Sequence, residues 1–267
     1  MMVMLRALYA EWTKFRTVRS SGWLLVGVAG LTAGLSVLVG MSFRVDSCLP
    51  QPGTTCDVDT TRLALTGVYL GQVAAVILGV LAAGSEYATA MMYTSLAAVP
   101  RRAAVFVAKA WVVLIPVLAA GLPGVAGSLL AAQAIQPGNG FTAANGYTRL
   151  SLTDPLTLRA GLGTVLYLGL VALLGLGVAM AVRTTVAAIS IVLSLLYVFP
   201  FLAMFVTQAR WREWLIEYSP MSAGLAIQAT RGLDTLPIGP WQGLGVLAAY
   251  AGGALLLGAA AFKLRDA

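Results

Sequence analysis

Long uncharged stretches dominate the chain and are separated by short groups of charged residues. Six intervals contain no Asp, Glu, Lys or Arg, and each is at least 23 residues long: 20–43, 63–85, 110–148, 160–182, 184–209 and 235–262. An α-helix needs about 20 apolar residues to cross about 30 Å of hydrocarbon. The intervals lack the alternation of barrel strands, and lipid excludes open sheet edges. The pattern therefore predicts an all-α polytopic membrane protein.

We expect one transmembrane domain over residues 1–267, with six helices that cross the membrane. The predicted spans are about 22–43, 63–84, 105–132, 159–182, 185–207 and 241–262. The composition agrees, because 59% of the 267 residues are hydrophobic and only 10% are charged. A soluble domain carries about 25% charged residues.

The distribution of charge predicts the orientation. With a cytoplasmic N-terminus, the inner segments hold ten basic and three acidic residues, whereas the outer loops hold seven of each. The net charge of +7 therefore lies on one side, as the positive-inside rule requires. Both termini are then cytoplasmic, and the expected location is the cell (cytoplasmic) membrane. We expect no nucleic-acid partner, because no basic stripe with interleaved aromatics lies apart from these membrane flanks.

The residues before the first span have the pattern of an amphipathic helix. Leu5, Leu8, Trp12 and Phe15 recur at steps of three or four, so they share one helical face. An apolar face with Trp opposite a basic face predicts an interfacial helix over residues 1–21 that contacts membrane lipid. An ordinary positively charged flank is the alternative. The sequence Ser-Ser-Gly at 20–22 predicts the turn into the bilayer.

The segment 85–102, SEYATAMMYTSLAAVPRR, predicts a short cytoplasmic helix between the second and third spans. Ser85 is a suitable N-cap, and Glu86 is favoured in a first turn by the helix dipole. Pro100 ends the helix, and Arg101 and Arg102 hold that end at the cytoplasmic face. The alternative is a simple connector.

Small residues and prolines mark the second and third spans. The second carries a small residue at every fourth position, which permits close helix packing within the chain or at a dimer interface. These residues are Gly67, Gly71, Ala75, Gly79 and Ala83. Shorter versions occur in the first and sixth spans. In the third span, Pro116 and Pro123 predict a kink or an interruption.

Two outer segments have features of their own. Cys48 and Cys56 lie in the first outer loop, where an oxidising environment favours a disulfide over two free thiols. In the outer segment 208–240, aromatic residues between Trp211 and Tyr218 predict a helix at the outer interface. The following run MSAGLAIQA is too short to cross the membrane and is either a re-entrant or interfacial piece or a plain surface helix.

The chain lacks the residues that most chemistry requires. It contains no histidine and no GxxxxGK[ST] phosphate-binding motif. No charged residue lies near the middle of a predicted span, and such a residue marks many proton-coupled carriers and intramembrane enzymes. We therefore predict no catalytic residues, no metal site and no cofactor in this chain.

Two motifs resemble a known family. The segment AEWTKFRTVRSSGWLL at 10–25 resembles the E-W-x-K-x-x-[ST]-x-R-S entry of actinobacterial permease subunits of type-2 (exporter) ABC transporters. The segment SEYATAMMYTSLAAVPRRAAVFVAKA at 85–110 is similar to that family's G-E-Y-x-T-G-x-[IL]-x-x-[ST]-L-x-x-x-P-R-R-x-x-x-x-x-A-K segment. Ser85 and Ala90 stand where the family usually has glycine. YSPMSAGLAI and the tail FKLRDA also resemble the family, so the resemblance covers the whole topology.

The resemblance implies a six-span permease that forms a pathway as a homodimer or with a related permease. It further implies a separate ATP-binding subunit that uses ATP and Mg²⁺ and docks on an inner coupling helix at 85–102. The residues carried over to this coupling segment are Glu86, Tyr87, Thr89, Pro100, Arg101, Arg102 and Lys109. Those carried over to the entry helix are Glu11, Trp12, Lys14, Arg16, Arg19 and Ser20.

The expected function is therefore the permease subunit of an ATP-driven exporter of a hydrophobic or amphipathic substrate. The alternatives are a non-transporting membrane anchor or regulatory partner and a secondary carrier. The aromatic cluster of Tyr197, Phe199, Phe201 and Phe205 either lines the pathway or packs against lipid and core.

Overall fold

The computed structural model describes residues 2–45, 58–88, 102–145, 147 and 150–264, and within these residues the chain is a bundle of α-helices. The helices are α1 Met2–Thr17, α2 Arg19–Ser42, α3 Thr60–Ala64, α4 Val68–Ala88, α5 Arg102–Ile135, α6 Pro155–Val182, α7 Thr185–Ala203, α8 Ala209–Tyr218, α9 Pro220–Leu225 and α10 Pro240–Leu264. Short 3₁₀ turns cover Gln136–Asn139, Ala143–Asn145, Ala226–Gln228 and Leu233–Thr235.

Six of these helices are long and apolar enough to cross a membrane: α2, α4, α5, α6, α7 and α10. The prediction of an all-α, multi-pass membrane protein with six spans is confirmed. The bounds differ in detail, since α5 is longer than predicted and α7 ends at Ala203. Helix α5 also continues through Pro116 and Pro123, so of the two alternatives, a kink or an interruption, the interruption is wrong. Neighbouring helices pack against α5 and support a helix that the prolines alone would weaken.

Helices α4 and α6 form the centre of the bundle. Their most apolar windows are 61% and 67% buried within the protein, whereas those of α2, α7 and α10 are only 17%, 22% and 22% buried. The two backbones approach closely at Gly79, where an added Cβ would lie 2.0 Å from the carbonyl oxygen of Ala172. Only glycine permits this distance. The contact therefore depends on the absence of a side chain.

The ladder of small residues in α4 packs inside the chain. A Cβ on Gly67 would lie 1.7 Å from the carbonyl oxygen of Thr32 in α2, and one on Gly71 would lie 2.0 Å from the Thr32 hydroxyl oxygen. Ala75 and Ala83 are fully buried. Of the two alternatives for this ladder, the structure shows helix packing within one chain.

The entry helix ends earlier than the sequence suggests. Val18 separates α1 from α2 in an extended conformation, and residues 20–22 lie inside α2. The expected break at Ser-Ser-Gly is therefore wrong. A single glycine costs a helix only about 1 kcal/mol, which the apolar residues that follow can offset by packing.

The start of the predicted coupling helix is also corrected. Helix α4 continues to Ala88, and the Ser85 hydroxyl donates a hydrogen bond to the carbonyl oxygen of Leu81 at 2.6 Å. Ser85 and Glu86 therefore belong to the last turns of a span and do not begin a new helix. Residues 89–101, with Thr89, Pro100 and Arg101, lie outside the described residues, as do the side chain of Arg102 and both Cys48 and Cys56.

Contacts at the two ends of the bundle show which helix ends meet. Arg183, in the turn between α6 and α7, donates to the carbonyl oxygen of Ala261 at 3.2 Å and lies 5.4 Å from the ring centre of Tyr87. This joins the ends of α4, α6 and α10, and we call this end the inner end. At the opposite end, Asn139 donates to the carbonyl oxygen of Gly40 and Gln136 to that of Thr60. The spans thus alternate in direction, as the charge pattern requires.

The outer segment divides into an exposed helix and a buried piece. Trp211, Trp214 and Tyr218 share the exposed face of α8, with neighbouring ring centres 6.4 and 5.3 Å apart. By contrast, α9 and the turn Ala226–Gln228 are buried. Ile227 packs so closely on α6 that a Cβ on Gly163 would lie 2.1 Å from it. The surface-helix alternative for this run is therefore wrong, and we call the buried run 220–228 the re-entrant piece.

Candidate functional site

Four charged side chains meet at the inner end of the bundle, and we call them the inner charge cluster: Glu11 and Lys14 of α1, Glu86 of α4 and Lys109 of α5. The Nζ of Lys109 lies 2.5 Å from Oε2 of Glu11 and 2.9 Å from Oε1 of Glu86. The Nζ of Lys14 lies 3.0 Å from Oε1 of each acid. The cluster therefore links three helices that are far apart in sequence.

Lys109 is the centre of the cluster. Its side chain is only 3% exposed, so its charge would be costly without partners. The ammonium has three donors, and these go to Glu11, Glu86 and the carbonyl oxygen of Ala82 at 3.1 Å. Two acids and two lysines balance in charge. Full pairing thus offsets the cost of burying this side chain.

Lys14 lies at the more accessible side of the cluster. Burial opposes its charge, but attraction and hydrogen bonds from Glu11 and Glu86 outweigh burial and raise the pKa of Lys14 above its usual value. The lysine therefore stays protonated at physiological pH. It connects α1 to the end of α4 independently of Lys109.

A cavity of about 300 Å³ adjoins the cluster. It lies between the α1–α2 junction, α4 and α5, and its walls are mostly apolar. Glu86 lines the cavity, and its second carboxylate oxygen, Oε2, is buried without a hydrogen-bond partner among the described residues. An ionised acceptor in this state is unusual.

The outer half of the bundle contains a neutral polar network instead. Tyr167 of α6 donates to the side-chain oxygen of Gln72 in α4, and the amide nitrogen of Gln72 lies 3.2 Å from the sulfur of Met221 in α9. Gln228 donates to the Thr164 hydroxyl at 3.0 Å. These bonds hold the re-entrant piece against the two central helices.

A second set of contacts fixes the end of this piece. Asp59 caps α3 through the backbone amides of Thr61 and Arg62, and its carboxylate also accepts from the backbone amides of Thr230 and Arg231. Arg159 donates to the carbonyl oxygen of Ala229. The outer end is thus closed by bonds from one short segment to α3 and α6.

The structure brings together four of the residues that the sequence indicated separately. Glu11 and Lys14 were carried over to the entry helix, whereas Glu86 and Lys109 were carried over to the coupling segment. Sequence reasoning missed that they form one cluster. The available signal was that Glu11 and Glu86 are two of only three acids on the predicted inner side, which holds ten basic residues.

Other indicated residues lie elsewhere. Trp12, Arg16 and Arg19 are exposed, and Tyr87 packs under Arg183. The buried face of α1 is the one with Ala7 and Glu11, and Leu5 on the predicted apolar face is exposed. In α7, Phe201 is exposed, as is Phe205 just beyond it, and the two rings pack edge to face. Tyr197 bonds to the carbonyl oxygen of Tyr69.

Among the described residues, no group of three or more His, Cys, Asp or Glu side chains could hold a metal ion. No known protein family matches the chain, and no curated protein matches it significantly. The case for a function therefore depends on the geometry and the sequence motifs.

Proposed function

We propose that the chain is the permease subunit of an ATP-driven exporter in the cytoplasmic membrane, powered by a separate ATP-binding subunit. The observation that carries this proposal is the inner charge cluster. Glu86 and Lys109 lie on the two helices that flank residues 89–101, and Glu11 joins α1 to them through Lys109. A force applied to the segment between α4 and α5 would therefore act on three helices together.

Two features of the sequence support transport driven by a partner. The chain has no GxxxxGK[ST] motif with which to bind ATP phosphates itself. The uncharged intervals leave no charged residue at the middle of a span, where proton-coupled carriers commonly have one. The motifs at 10–25 and 85–110, which resemble those of exporter permeases, point in the same direction.

The proposed mechanism is rigid-body switching. Helices α4 and α6 would move as one unit, because their backbones are in contact at Gly79 and Ala172. The partner would bind ATP with Mg²⁺, close, and displace residues 85–102. The inner charge cluster would transmit that displacement to α1 and from there to α2.

We further propose a hydrophobic or amphipathic substrate and a pathway formed with a second permease copy or a related permease. The absence of charged residues near the middle of the spans favours such a substrate. The α4 ladder is occupied within the chain, so a second copy would use another face. Gly30 and Gly34 of α2 and Gly245 and Gly253 of α10 have no neighbouring atoms within 4 Å of an added Cβ, so these faces are open to lipid or to another helix.

Co-purification in mild detergent with the ATP-binding subunit encoded beside this protein tests the proposal. Two variants separate docking from coupling. The double variant Arg101→Ala/Arg102→Ala tests docking, and the single variant Glu86→Gln tests coupling. We expect the arginine pair to abolish the complex. We expect Glu86→Gln to retain it but to reduce ATP-dependent export, because Glu86 is only 6% exposed and would offer a partner little surface.

A wild-type protein that co-purifies with no nucleotide-binding partner would contradict the proposal. Transport by the purified chain alone, driven by a proton or sodium gradient in proteoliposomes, would favour a secondary carrier. If Glu86→Gln instead formed less complex, while each complex that did form exported at the wild-type rate, Glu86 would be assigned to docking.

A further inference from the structure

We propose that Arg183, in the turn between α6 and α7, is a positioning residue that couples movement at the end of α4 to α10. The proposal rests on the proposed function and deepens it, because it gives a displacement of residues 85–102 a second route through the bundle. The inner charge cluster leads from Glu86 to α1 and α5. The next residue, Tyr87, leads by way of Arg183 to α6 and α10.

The backbone of Arg183 has a conformation that favours glycine. Arg183 ends α6 with a φ of 64° and a ψ of 8°, and its amide donates to the carbonyl oxygen of Ala179 at 2.9 Å. In the part of the chain that the structure describes, it is the only residue other than glycine with a positive φ. Glycine is the usual residue at such a helix end, because a Cβ is strained there. An arginine at this position indicates that its side chain has a role that glycine could not perform.

The Arg183 side chain contacts two other helices. Its guanidinium carbon lies 5.4 Å from the centre of the Tyr87 ring, within the range of a cation–π interaction. Its Nη2 donates to the carbonyl oxygen of Ala261 at 3.2 Å, close to the end of α10. Tyr87 lies in the last turn of α4, two residues before the segment 89–101. One side chain therefore connects the ends of α4, α6 and α10.

Close contacts on both sides of the α6–α7 turn make this connection stiff. An added Cβ on Gly84 would lie 2.5 Å from the hydroxyl oxygen of Thr185, so the end of α4 lies against the start of α7. One on Gly258 would lie 2.7 Å from the carbonyl oxygen of Gly177, so α10 lies against α6. Packed interfaces of this kind shift as units and do not deform continuously. A displacement at the end of α4 would therefore move the turn, and the turn would move the end of α10.

Arg183→Gly separates the role of the side chain from that of the backbone. Glycine adopts the observed φ without strain, and this relief opposes the loss of side-chain contacts, so the thermal unfolding midpoint should change little. The end of α10, however, loses its bond to the turn. Hydrogen exchange of the full-length protein in nanodiscs, measured by mass spectrometry, should become at least about tenfold faster at residues 258–264, because a hydrogen bond from a charged group contributes that much.

Tyr87 provides a matched pair of substitutions. Tyr87→Phe keeps the face of a ring against the guanidinium, whereas Tyr87→Leu removes it. Tyr87→Leu should therefore speed exchange at residues 258–264, though less than Arg183→Gly does, and Tyr87→Phe should leave it at the wild-type rate. In a double variant with Arg183→Gly, Tyr87→Leu should add nothing further, because its effect reaches α10 only through Arg183.

Exchange at residues 258–264 that is unchanged in Arg183→Gly, or raised equally by Tyr87→Leu and Tyr87→Phe, would overturn the proposal. Additive effects of Arg183→Gly and Tyr87→Leu would do the same, since Tyr87 would then act on α10 by another path. If Arg183→Gly fails to fold, the comparison of Tyr87→Leu with Tyr87→Phe decides alone.

The complex with the ATP-binding subunit shows whether transport uses this link. Arg183→Gly should lower the export per ATP hydrolysed while hydrolysis continues, a result that a purely structural role would not produce. Export per ATP at the wild-type value would overturn the coupling role. The exchange measurements need no ATP-binding subunit. If no such subunit binds, the proposed function fails, and exchange still decides whether Arg183 links α4 to α10.

Discussion

The inner and outer ends of the bundle are held together by different interactions. At the inner end, two acids and two lysines join α1, α4 and α5. At the outer half, glycine contacts and neutral hydrogen bonds join α2, α4, α6 and α9. Ionic pairs therefore lie beside the connection between α4 and α5. Neutral contacts hold the helices together deeper in the bundle, where burying an ion would be costly.

Lys109→Met should have the largest effect. It leaves the two buried acids with Lys14 as their only partner in the cluster, so we expect a loss of about 3–5 kcal/mol in the free energy of unfolding. Thermal and denaturant unfolding in detergent measure this loss. Arg6→Met, at an exposed position of α1, is the control and should change stability little. A loss below about 1 kcal/mol, as for a surface pair, would mean that the inner cluster is not a buried link.

Gly67→Ala tests the outer half in the same assay. Its new methyl group would lie 1.7 Å from the carbonyl oxygen of Thr32, so α2 and α4 must separate. We expect a loss of about 1–3 kcal/mol or more. Gly30→Ala on the open face of α2 has no such neighbour and should be neutral or slightly stabilising. Equal effects of the two substitutions would refute the close contact.

Tyr167→Phe removes one hydroxyl from the neutral network. The side-chain oxygen of Gln72 would remain buried without this donor, at a cost of about 1–3 kcal/mol to the free energy of unfolding. Tyr250→Phe removes an exposed hydroxyl that bonds to the carbonyl oxygen of Tyr218 and should cost much less. If the two variants unfold alike, the network does not hold the re-entrant piece.

The pH dependence should be the smallest effect, and it is confined to the inner end. Because the pKa of Lys14 is raised in the folded protein, its contribution is complete below its unfolded value of 10.5. The contribution is lost as pH rises through the higher folded pKa. The unfolding midpoint of the wild type should therefore approach that of Lys14→Met only in this alkaline range. A difference between them that stays constant across the range would show that Lys14 acts through packing of its alkyl chain.

Much of the fold could be predicted because each span is specified locally. Twenty or more apolar residues in succession determine a membrane-crossing helix irrespective of its neighbours. The helix ends were less predictable. Ser85 has the composition of an N-cap, but the side chain bonds to Leu81 within α4 because packing extends that helix to Ala88. The predicted break at 20–22 was wrong for the same reason.

The candidate site was predicted only in parts. Glu11 and Glu86 could be recognised as acids in basic flanks, but their shared partner Lys109 is 98 and 23 residues away from them. No local pattern encodes such a distance. The burial of the run after Pro220 could not be predicted either, because its short apolar sequence is also compatible with a surface helix. Only the structure shows that Gly163 and Gly243, which have no side chain, let this run pack closely on α6 and α10.

The sequence by itself determined the class of the protein and its six spans, since hydrocarbon thickness acts on each segment separately. Only the tertiary structure decided which charges pair, which face of α1 is buried, and where a cavity remains beside Glu86. These depend on distances between helices, which arise when side chains from distant segments fill the same space.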